Sequence, residues 1–290
     1  MKLEKVVSLE EIDSFPEETK QYDAMISEIF CDKSGDYNEL HNIKKMQKIG
    51  FNQVATPGMI MLFDLWNFQM TSFTAKFKKA VFTGRDVTIN PHTDKNGNVK
   101  VLYSENGDLT LDVKLKNEPN IFKEKEASIM QELGFPFIQK NRQPGKLVAL
   151  AQVSGFLYNL IESARDEFGY KNMFNIMNKC SDTTREKSLD IMDLFRKNPE
   201  YKAMYMSINA DFFPKSESLT WDKLTYDFVP LKIRPNNEGN LIQANVNVYQ
   251  GLIETEEKKT KKNPVLTAKV GLLYAPHEVL MNKLKKAYVR

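Results

Sequence analysis

The segment SGDYNELH, at 34–41, carries two side chains suited to proton transfer, Asp36 and His41. A neutral imidazole accepts or gives up a proton near physiological pH, because its ordinary pKa is about 6.5. A carboxylate on the same turn can orient and deprotonate a water molecule. The pair therefore suits general acid–base chemistry. We expect His92 and His277 to be surface residues, and Cys31, beside the turn, to be a buried thiol with no base partner.

Two helices are predicted to flank this turn. Residues 9–31 contain a helix in which Tyr22, Met25, Ile26 and Ile29 recur at spacings of three and four, as a buried face requires. Gly, Ser, Asp and Asn then favour a turn. A short basic helix, HNIKKMQKIGF, follows and is predicted to end at Gly50.

A buried helix is predicted after Thr56, Pro57 and Gly58. Thr56 can cap it, Pro57 can occupy its first turn, and the run MIMLFDLWNFQMTSF is apolar on nearly every side. A helix of this kind must be wrapped by other elements. Trp66 and its apolar neighbours are predicted to be core.

Each half of the chain shows helices first and strands afterwards. Alternation predicts strands in AKFKKAVFTGRDVTI, in VKVLYSENGDLTLDVKLK and in KEKEASIMQE. KLVALAQVSGFLYNLIESARDEFG and the 173–205 segment are predicted to be helical. The strands LTWDKLTYDFVPLKIR, NLIQANVNVYQG and PVLTAKVGLLYAP follow them. The layout predicts an α+β protein with two copies of one architecture and a boundary near 142–146.

The bulk composition excludes several classes of protein. The 290 residues hold 41 basic and 38 acidic side chains, which gives no case for a nucleic-acid interface. The longest apolar runs fall well short of the ~20 residues of a membrane span, and the N-terminal residues do not resemble a secretory signal. The spacing of the two cysteines, Cys31 and Cys180, favours neither a metal site nor a disulfide framework. We therefore expect a cytoplasmic protein.

The window 30–61 resembles the MaoC-like hydratases, the R-specific enoyl-CoA hydratase (hydratase 2) family. The residues that match the family pattern in register are Phe30, Ser34, Gly35, Asp36, Asn38, Leu40, His41, Gly50, Phe51, Gly58 and Met59. A second block, FKKAVFTGRDVTI at 77–89, resembles the family strand Phe-x-x-Pro-Val-x-x-Gly-Asp. The chain departs from the family at Glu39 (usually Pro), Gln47 (usually Ala) and Pro57 (usually His).

This resemblance implies a double hot dog, with two antiparallel sheets each wrapped around a central helix. The domains would be 1–145, which carries the motif, and 146–290, which lacks it and completes the acyl pocket. Asp36 and His41 would hold the reacting water, and the N–H of Gly58 would bind the thioester oxygen. Ser34, Gly35 and Asn38 would shape the turn.

The reaction implied is (R)-specific hydration of trans-2-enoyl thioesters, or dehydration of 3-hydroxyacyl thioesters, without a cofactor or metal. The thioester would be carried by CoA or by an acyl-carrier protein. Two alternatives stay open: a 3-hydroxyacyl-carrier-protein dehydratase of lipid or polyketide synthesis, and a hot-dog protein that binds acyl thioesters without turnover. Chain length and direction of flux also stay open, as does homodimerisation.

Overall fold

The computed structural model describes residues 8–36, 38–68, 70–117, 130–133, 182–213, 224–250 and 263–289, and between 150 and 171 it describes 150, 153–155, 157, 161–162, 165–167 and 171. The helices whose bounds lie within these residues are α1 (Ala24–Ser34), α2 (Ile43–Lys48), α3 (Gly58–Leu62), α4 (Asp182–Lys197) and α5 (His277–Tyr288), and the described residues 150, 153–155, 157 and 161–162 are also helical. Short 3-10 turns lie at Leu9–Ser14, Glu39–His41 and Phe63–Asn67. None of the helices in the described part of the chain is long and apolar enough to cross a bilayer.

The described strands form one ten-stranded antiparallel sheet. They are β1 (Glu18–Gln21), β2 (Ser72–Phe77), β3 (Asp86–Thr93), β4 (Val99–Glu105), β5 (Asp108–Lys116), β6 (Met130–Leu133), β7 (Tyr201–Phe212), β8 (Leu224–Asn236), β9 (Gly239–Gln250) and β10 (Asn263–Pro276). The predicted α+β class with large antiparallel pairing is present. Because the strands hydrogen-bond into one sheet, the predicted separation into two wrapped sheets is not confirmed.

The sheet repeats one strand order twice. The order is β1-β3-β4-β5-β2 and then β7-β10-β9-β8-β6. Within each set, we number the strands by their order along the chain. Counted from the outer edge of the sheet, both sets then run first, third, fourth, fifth and second. The two sets meet where β2 pairs with β7, with Ser72 opposite Asp211 and Lys76 opposite Ser207. The predicted boundary at 142–146 lies outside the described residues.

The run after Gly58 is buried, as predicted, but it is not one long helix. α3 ends at Leu62, a 3-10 turn follows, and β2 already begins at Ser72. Tyr103, which is fully buried, donates its hydroxyl hydrogen to the carbonyl of Met61 at 3.1 Å. The carbonyl of Met61 thus accepts a hydrogen bond from a distant strand at the point where α3 ends. The side chain of Trp66 lies outside the described part.

The buried face predicted for α1 is wrong. Met25, Ile26 and Ile29 are 63%, 52% and 43% exposed, whereas Phe30 and Cys31 are buried. The helix begins at Ala24, after Asp23 accepts a hydrogen bond from the N–H of Met25 at 2.6 Å. Tyr22 therefore precedes the helix, so its burial does not set the helix face.

The prediction of helix across 173–205 is correct for α4 but missed β7. From Ile208 onwards, alternate residues of β7 are buried, the period of a strand. β7 hydrogen-bonds to β2 on one side and to β10 on the other, so its backbone groups are satisfied within the sheet. The strands predicted after it agree with β8, β9 and β10.

Candidate active site

Asp36 lies in a turn that the end of α1 forms. Gly35 adopts the left-handed conformation, with φ of 73°, and its N–H bonds to the carbonyl of Cys31 at 2.9 Å. The N–H of Asp36 donates to Ser34 Oγ at 3.3 Å. Asn38 N–H lies 3.4 Å from Asp36 Oδ1. Ser34, Gly35 and Asn38 therefore occupy positions from which they shape the turn.

His41 is placed by the next turn. The Asn38 side chain accepts the N–H of Leu40 at 3.2 Å, and the Asn38 carbonyl accepts the N–H of His41 at 3.0 Å. This 3-10 turn buries Leu40 and leaves His41 at the wall of a cavity. The spacing between Asp36 and His41 thus spans two consecutive turns.

The contact made by His41 Nδ1 defines which nitrogen of the imidazole ring carries the hydrogen. Nδ1 lies 2.6 Å from the carbonyl oxygen of Ala55. A carbonyl oxygen only accepts, so the hydrogen lies on Nδ1. In the neutral ring Nε2 then carries the free lone pair, which is the form that a general base needs.

The motif and the second sequence block meet at Ala55 and Thr56. The N–H of Ala55 bonds to the carbonyl of Leu40 at 3.0 Å, and the N–H of Thr56 bonds to the carbonyl of Val81 at 2.8 Å. Ala55 also forms an antiparallel bridge with Phe82. The carbonyl that holds His41 is therefore fixed by the block at 77–89.

His41 and Gly58 share a cavity of about 540 Å³ at the junction of the two strand sets. Apolar side chains from both sets line it, namely Met61, Phe77, Met204 and Met206. Lysines and two acids also line it: Lys78, Lys79, Lys283, Lys286, Asp108 and Glu238. Lys79 pairs with Asp108 at 3.2 Å and Lys283 with Glu238 at 2.8 Å. The cavity can take an apolar chain and an anionic group.

Gly58 is the first residue of α3, and space around its Cα is limited. A Cβ added there would lie 2.5 Å from Cε1 of Phe77. Glycine thus allows the backbone to approach the ring that lines the cavity. α3 has only five residues. The proposed oxyanion role therefore depends on the N–H of Gly58 itself rather than on a long helix dipole.

Asp36 does not line this cavity. It is 3% exposed and lines an adjoining pocket of about 10 Å³, with Leu157, Ile161 and Leu272 among its walls. That volume is about what one water molecule requires. Asn38 and Tyr205 line both spaces, so the two adjoin at these residues. The structure thus places His41 and Gly58 at one cavity and Asp36 next to it.

Two residues from outside the motif complete the surroundings of Asp36. Ser154 donates its hydroxyl hydrogen to Asp36 Oδ2 at 2.6 Å. Tyr205 donates its own to the carbonyl of Ser154 at 3.2 Å. Burial, and secondarily the charge of Asp36, raises the pKa of Tyr205 well above its usual range, so the phenol is a hydrogen-bond donor. Sequence reasoning missed both residues, although the Ser-Gly pair inside an apolar helix indicates a close approach.

Cys31 is a free, buried thiol, as predicted. Burial raises its pKa far above the usual range, and the charges of Asp36 and Glu28 add to that effect. A thiol in this state is not a nucleophile at neutral pH. Cys180 lies outside the described part of the chain.

The departures from the family pattern have structural counterparts. Glu39 Oε1 lies 3.1 Å from His277 Nδ1 and 3.6 Å from Lys202 Nζ, so Glu39 places the 3-10 turn of His41 next to the start of α5 and to β7. The His277 side chain, predicted to lie at the surface, is 37% exposed and lies beside Glu39. Pro57 precedes α3 as its N-cap, and Gln47 lies in α2.

A metal has no evident place in the described residues. They contain no group of three or more His, Cys, Asp or Glu side chains that could hold one.

Comparisons with known proteins give distant structural similarities only. No protein-family model matches the chain, and no curated protein matches it. A Mycobacterium tuberculosis protein described as having a double hot-dog fold is 9% identical, with a TM-score of 0.48 over 89% of this chain and 94% of that one. An acyl-CoA thioesterase II from Mycobacterium marinum is 10% identical, with a TM-score of 0.44 over 77% and 91%. The CurJ dehydratase is 13% identical, with a TM-score of 0.43 over 80% and 86%. Similarity at this level assigns no activity to this chain.

Proposed function

We propose that this protein is an enzyme that processes acyl thioesters, and more specifically that it adds water to trans-2-enoyl thioesters with (R) specificity or catalyses the reverse dehydration. The observation that carries the proposal is the contact between His41 Nδ1 and the Ala55 carbonyl. It leaves Nε2 as the free nitrogen of a side chain that lines a cavity with both apolar and cationic walls.

Hydration makes three chemical demands. Water must lose a proton as it attacks C3, C2 must gain one, and negative charge on the thioester oxygen must be stabilised. His41 Nε2 can take the proton from the attacking water and deliver it to C2. The N–H of Gly58 is the donor proposed for the oxygen.

In this mechanism Asp36 acts from the adjoining pocket. Its carboxylate lies beside a space about the size of one water molecule, which adjoins the larger cavity at Asn38 and Tyr205. We propose that Asp36 hydrogen-bonds the reacting water where the two spaces adjoin, while His41 transfers the proton. Both groups are needed for full turnover.

The direct test is turnover of crotonyl-CoA and longer enoyl-CoAs, followed by loss of the enoyl-thioester absorbance. We expect His41→Ala and Asp36→Asn each to reduce kcat by about 10²- to 10⁴-fold, the usual contribution of a positioned acid or base. His92→Ala is the matched control, because His92 lies on β3 and does not line the cavity. Undiminished activity in both site variants would contradict the assigned roles.

Further measurements on the same substrates distinguish the competing activities. Chiral analysis of the 3-hydroxyacyl product tests the (R) configuration. Release of free CoA with the double bond retained would show that the protein hydrolyses the thioester rather than hydrating the double bond. Tight binding of acyl-CoA with no turnover at any chain length would favour a non-catalytic binding protein. Parallel reactions with CoA and carrier-protein thioesters would identify a carrier-protein dehydratase.

A further inference from the structure

Ser154 is a buried polar residue outside the motif that contacts the candidate catalytic carboxylate. Its side chain is 1% exposed, and its hydroxyl lies 2.6 Å from Asp36 Oδ2. An ionised carboxylate only accepts, so the serine is the donor. A hydrogen bond to a charged acceptor is roughly twice as strong as one between neutral groups.

The position of Ser154 is fixed by its neighbours. Gly155 lies directly against the turn of Asp36, because a Cβ on it would be 1.7 Å from the carbonyl oxygen of Ser34. Val153 and Leu157 are buried in the main core on the same segment. Tyr205 holds the carbonyl of Ser154 from β7. Any shift of Ser154 would disturb at least one of these contacts.

The other described hydrogen bond to the Asp36 carboxylate is much weaker. The N–H of Asn38 is 3.4 Å from Oδ1, near the limit for a hydrogen bond, whereas the Ser154 contact is short. The rotation of the carboxylate therefore depends mainly on Ser154. Tyr205 links the same serine to the wall of the cavity that holds His41.

We propose that Ser154 is the positioning residue for Asp36, and that the part of the chain beyond the motif thereby contributes directly to the active site. The inference rests on the proposed function, in which Asp36 orients the reacting water. Ser154 does not touch the substrate. It keeps the carboxylate in the orientation that hydration uses.

The test is a double-mutant cycle of Ser154→Ala and Asp36→Asn, with kcat and KM measured on crotonyl-CoA. We expect Ser154→Ala alone to lower kcat about tenfold or more with KM within about twofold, because a misplaced group slows the reaction without weakening substrate binding. In the Asp36→Asn background the serine change should alter kcat by less than about twofold. Ser27→Ala is the control, since Ser27 is equally buried and, among the described residues, its hydroxyl bonds to the backbone of Asp23; its kcat should equal that of the wild type.

Urea unfolding of the same four proteins tests the contact without using activity. Ser154→Ala should lower the midpoint more in the wild-type background than in Asp36→Asn, because only the carboxylate gives a charge-assisted bond. Equal loss of kcat in both backgrounds, or equal midpoint shifts, would overturn the inference. A wild-type protein that turns over no enoyl thioester would overturn the proposed hydration instead. The unfolding data would then decide separately whether Ser154 holds Asp36.

Discussion

His41 and Gly58 meet at the same cavity for different local reasons. His41 is oriented by a side-chain contact to the Ala55 carbonyl, at 2.6 Å. Gly58 is there because a larger residue would collide with the ring of Phe77. At the scale of single residues, the site therefore depends on one hydrogen bond and one missing Cβ.

Gly58→Ala is expected to shrink the cavity that His41 and Gly58 share. The new methyl group would lie 2.5 Å from Phe77 Cε1, so the ring must move, and it lines the cavity. We predict that kcat/KM falls about tenfold or more for long enoyl-CoAs and less for crotonyl-CoA. Adding Phe77→Leu should restore much of the long-chain activity. Equal losses at every chain length would instead indicate that the backbone N–H of residue 58 has been displaced.

The helix α5 is held to the motif-bearing half at both ends. At its start, His277 contacts Glu39. At its end, Arg85 donates to the carbonyl oxygens of Ala287 and Tyr288 and pairs with Glu105 at 2.7 Å. Since Lys283, Leu284, Lys286 and Ala287 line the cavity, these anchors keep one wall in place.

Arg85→Met is expected to destabilise the protein strongly. Glu105 is 1% exposed, and losing its partner would leave a buried charge uncompensated, at a cost of about 3–5 kcal/mol. Arg85→Met combined with Glu105→Gln should recover much of this loss, because the buried group is then neutral. The free energy of unfolding from urea titration checks both values. A double variant no more stable than the single one would show that the α5 carbonyl contacts dominate.

Asp64, in the 3-10 turn Phe63–Asn67, contacts Lys20 of β1 and makes the stability of the fold depend on pH. Burial raises its pKa, and the opposing contacts with Lys20 and Tyr22 only partly offset that effect. A carboxyl whose pKa is higher in the folded state stabilises the fold below its unfolded pKa of about 3.9, and this contribution is lost as pH rises through the folded pKa. We predict that Asp64→Asn removes this contribution. The free energy of unfolding of the variant should therefore fall less than that of the wild type as pH rises.

Asp94 provides a contrast for the same titration. The backbone N–H of Asn98 lowers the pKa of Asp94, so its contribution is present above the unfolded pKa and lost as pH falls. Asp94→Asn should therefore alter the acid end of the curve in the opposite sense to Asp64→Asn. Identical pH curves for the wild type and both variants would contradict the two assignments.

At the scale of the whole molecule, the cavity lies where two strand sets of identical order join. β2 and β7 form the junction, and Phe77 and Tyr205 extend from these strands to the cavity wall. Both strand sets therefore contribute walls to the cavity. The lysines on its lining come from the segment after β2 and from α5.

Lys78→Glu and Lys286→Glu are expected to weaken binding of a phosphate-bearing thioester. Both lysines are exposed, and the described residues show no ion pair for either. We predict that each change raises KM for enoyl-CoA about tenfold and leaves KM for the pantetheine thioester, which lacks the nucleotide phosphates, nearly unchanged. Added salt should reduce the difference. Lys95→Glu, in the β3–β4 turn, is the control; an equal rise with both substrates would rule out a phosphate contact.

Local patterns predicted the elements whose structure depends on neighbouring residues. The strands β8, β9 and β10 are observed, and the turn predicted over 31–38 is present from Gly35, which has a positive φ, although residues 31–34 belong to α1. The family resemblance implied one site for Asp36, His41 and Gly58; His41 and Gly58 line one cavity, and Asp36 lines the adjoining pocket. These features depend on period, capping and turn preference, which act over a few residues.

The sequence by itself determined the strand-rich character of the protein, the turn that carries Asp36 and His41, and the burial of the run after Gly58. Tertiary contacts decided the rest. They ended α3 at Leu62, exposed the apolar side of α1, made β7 a central strand and placed Ser154 against Asp36. The physical reason is that periodicity shows which residues share a face, whereas only the packed chain decides which distant groups that face meets.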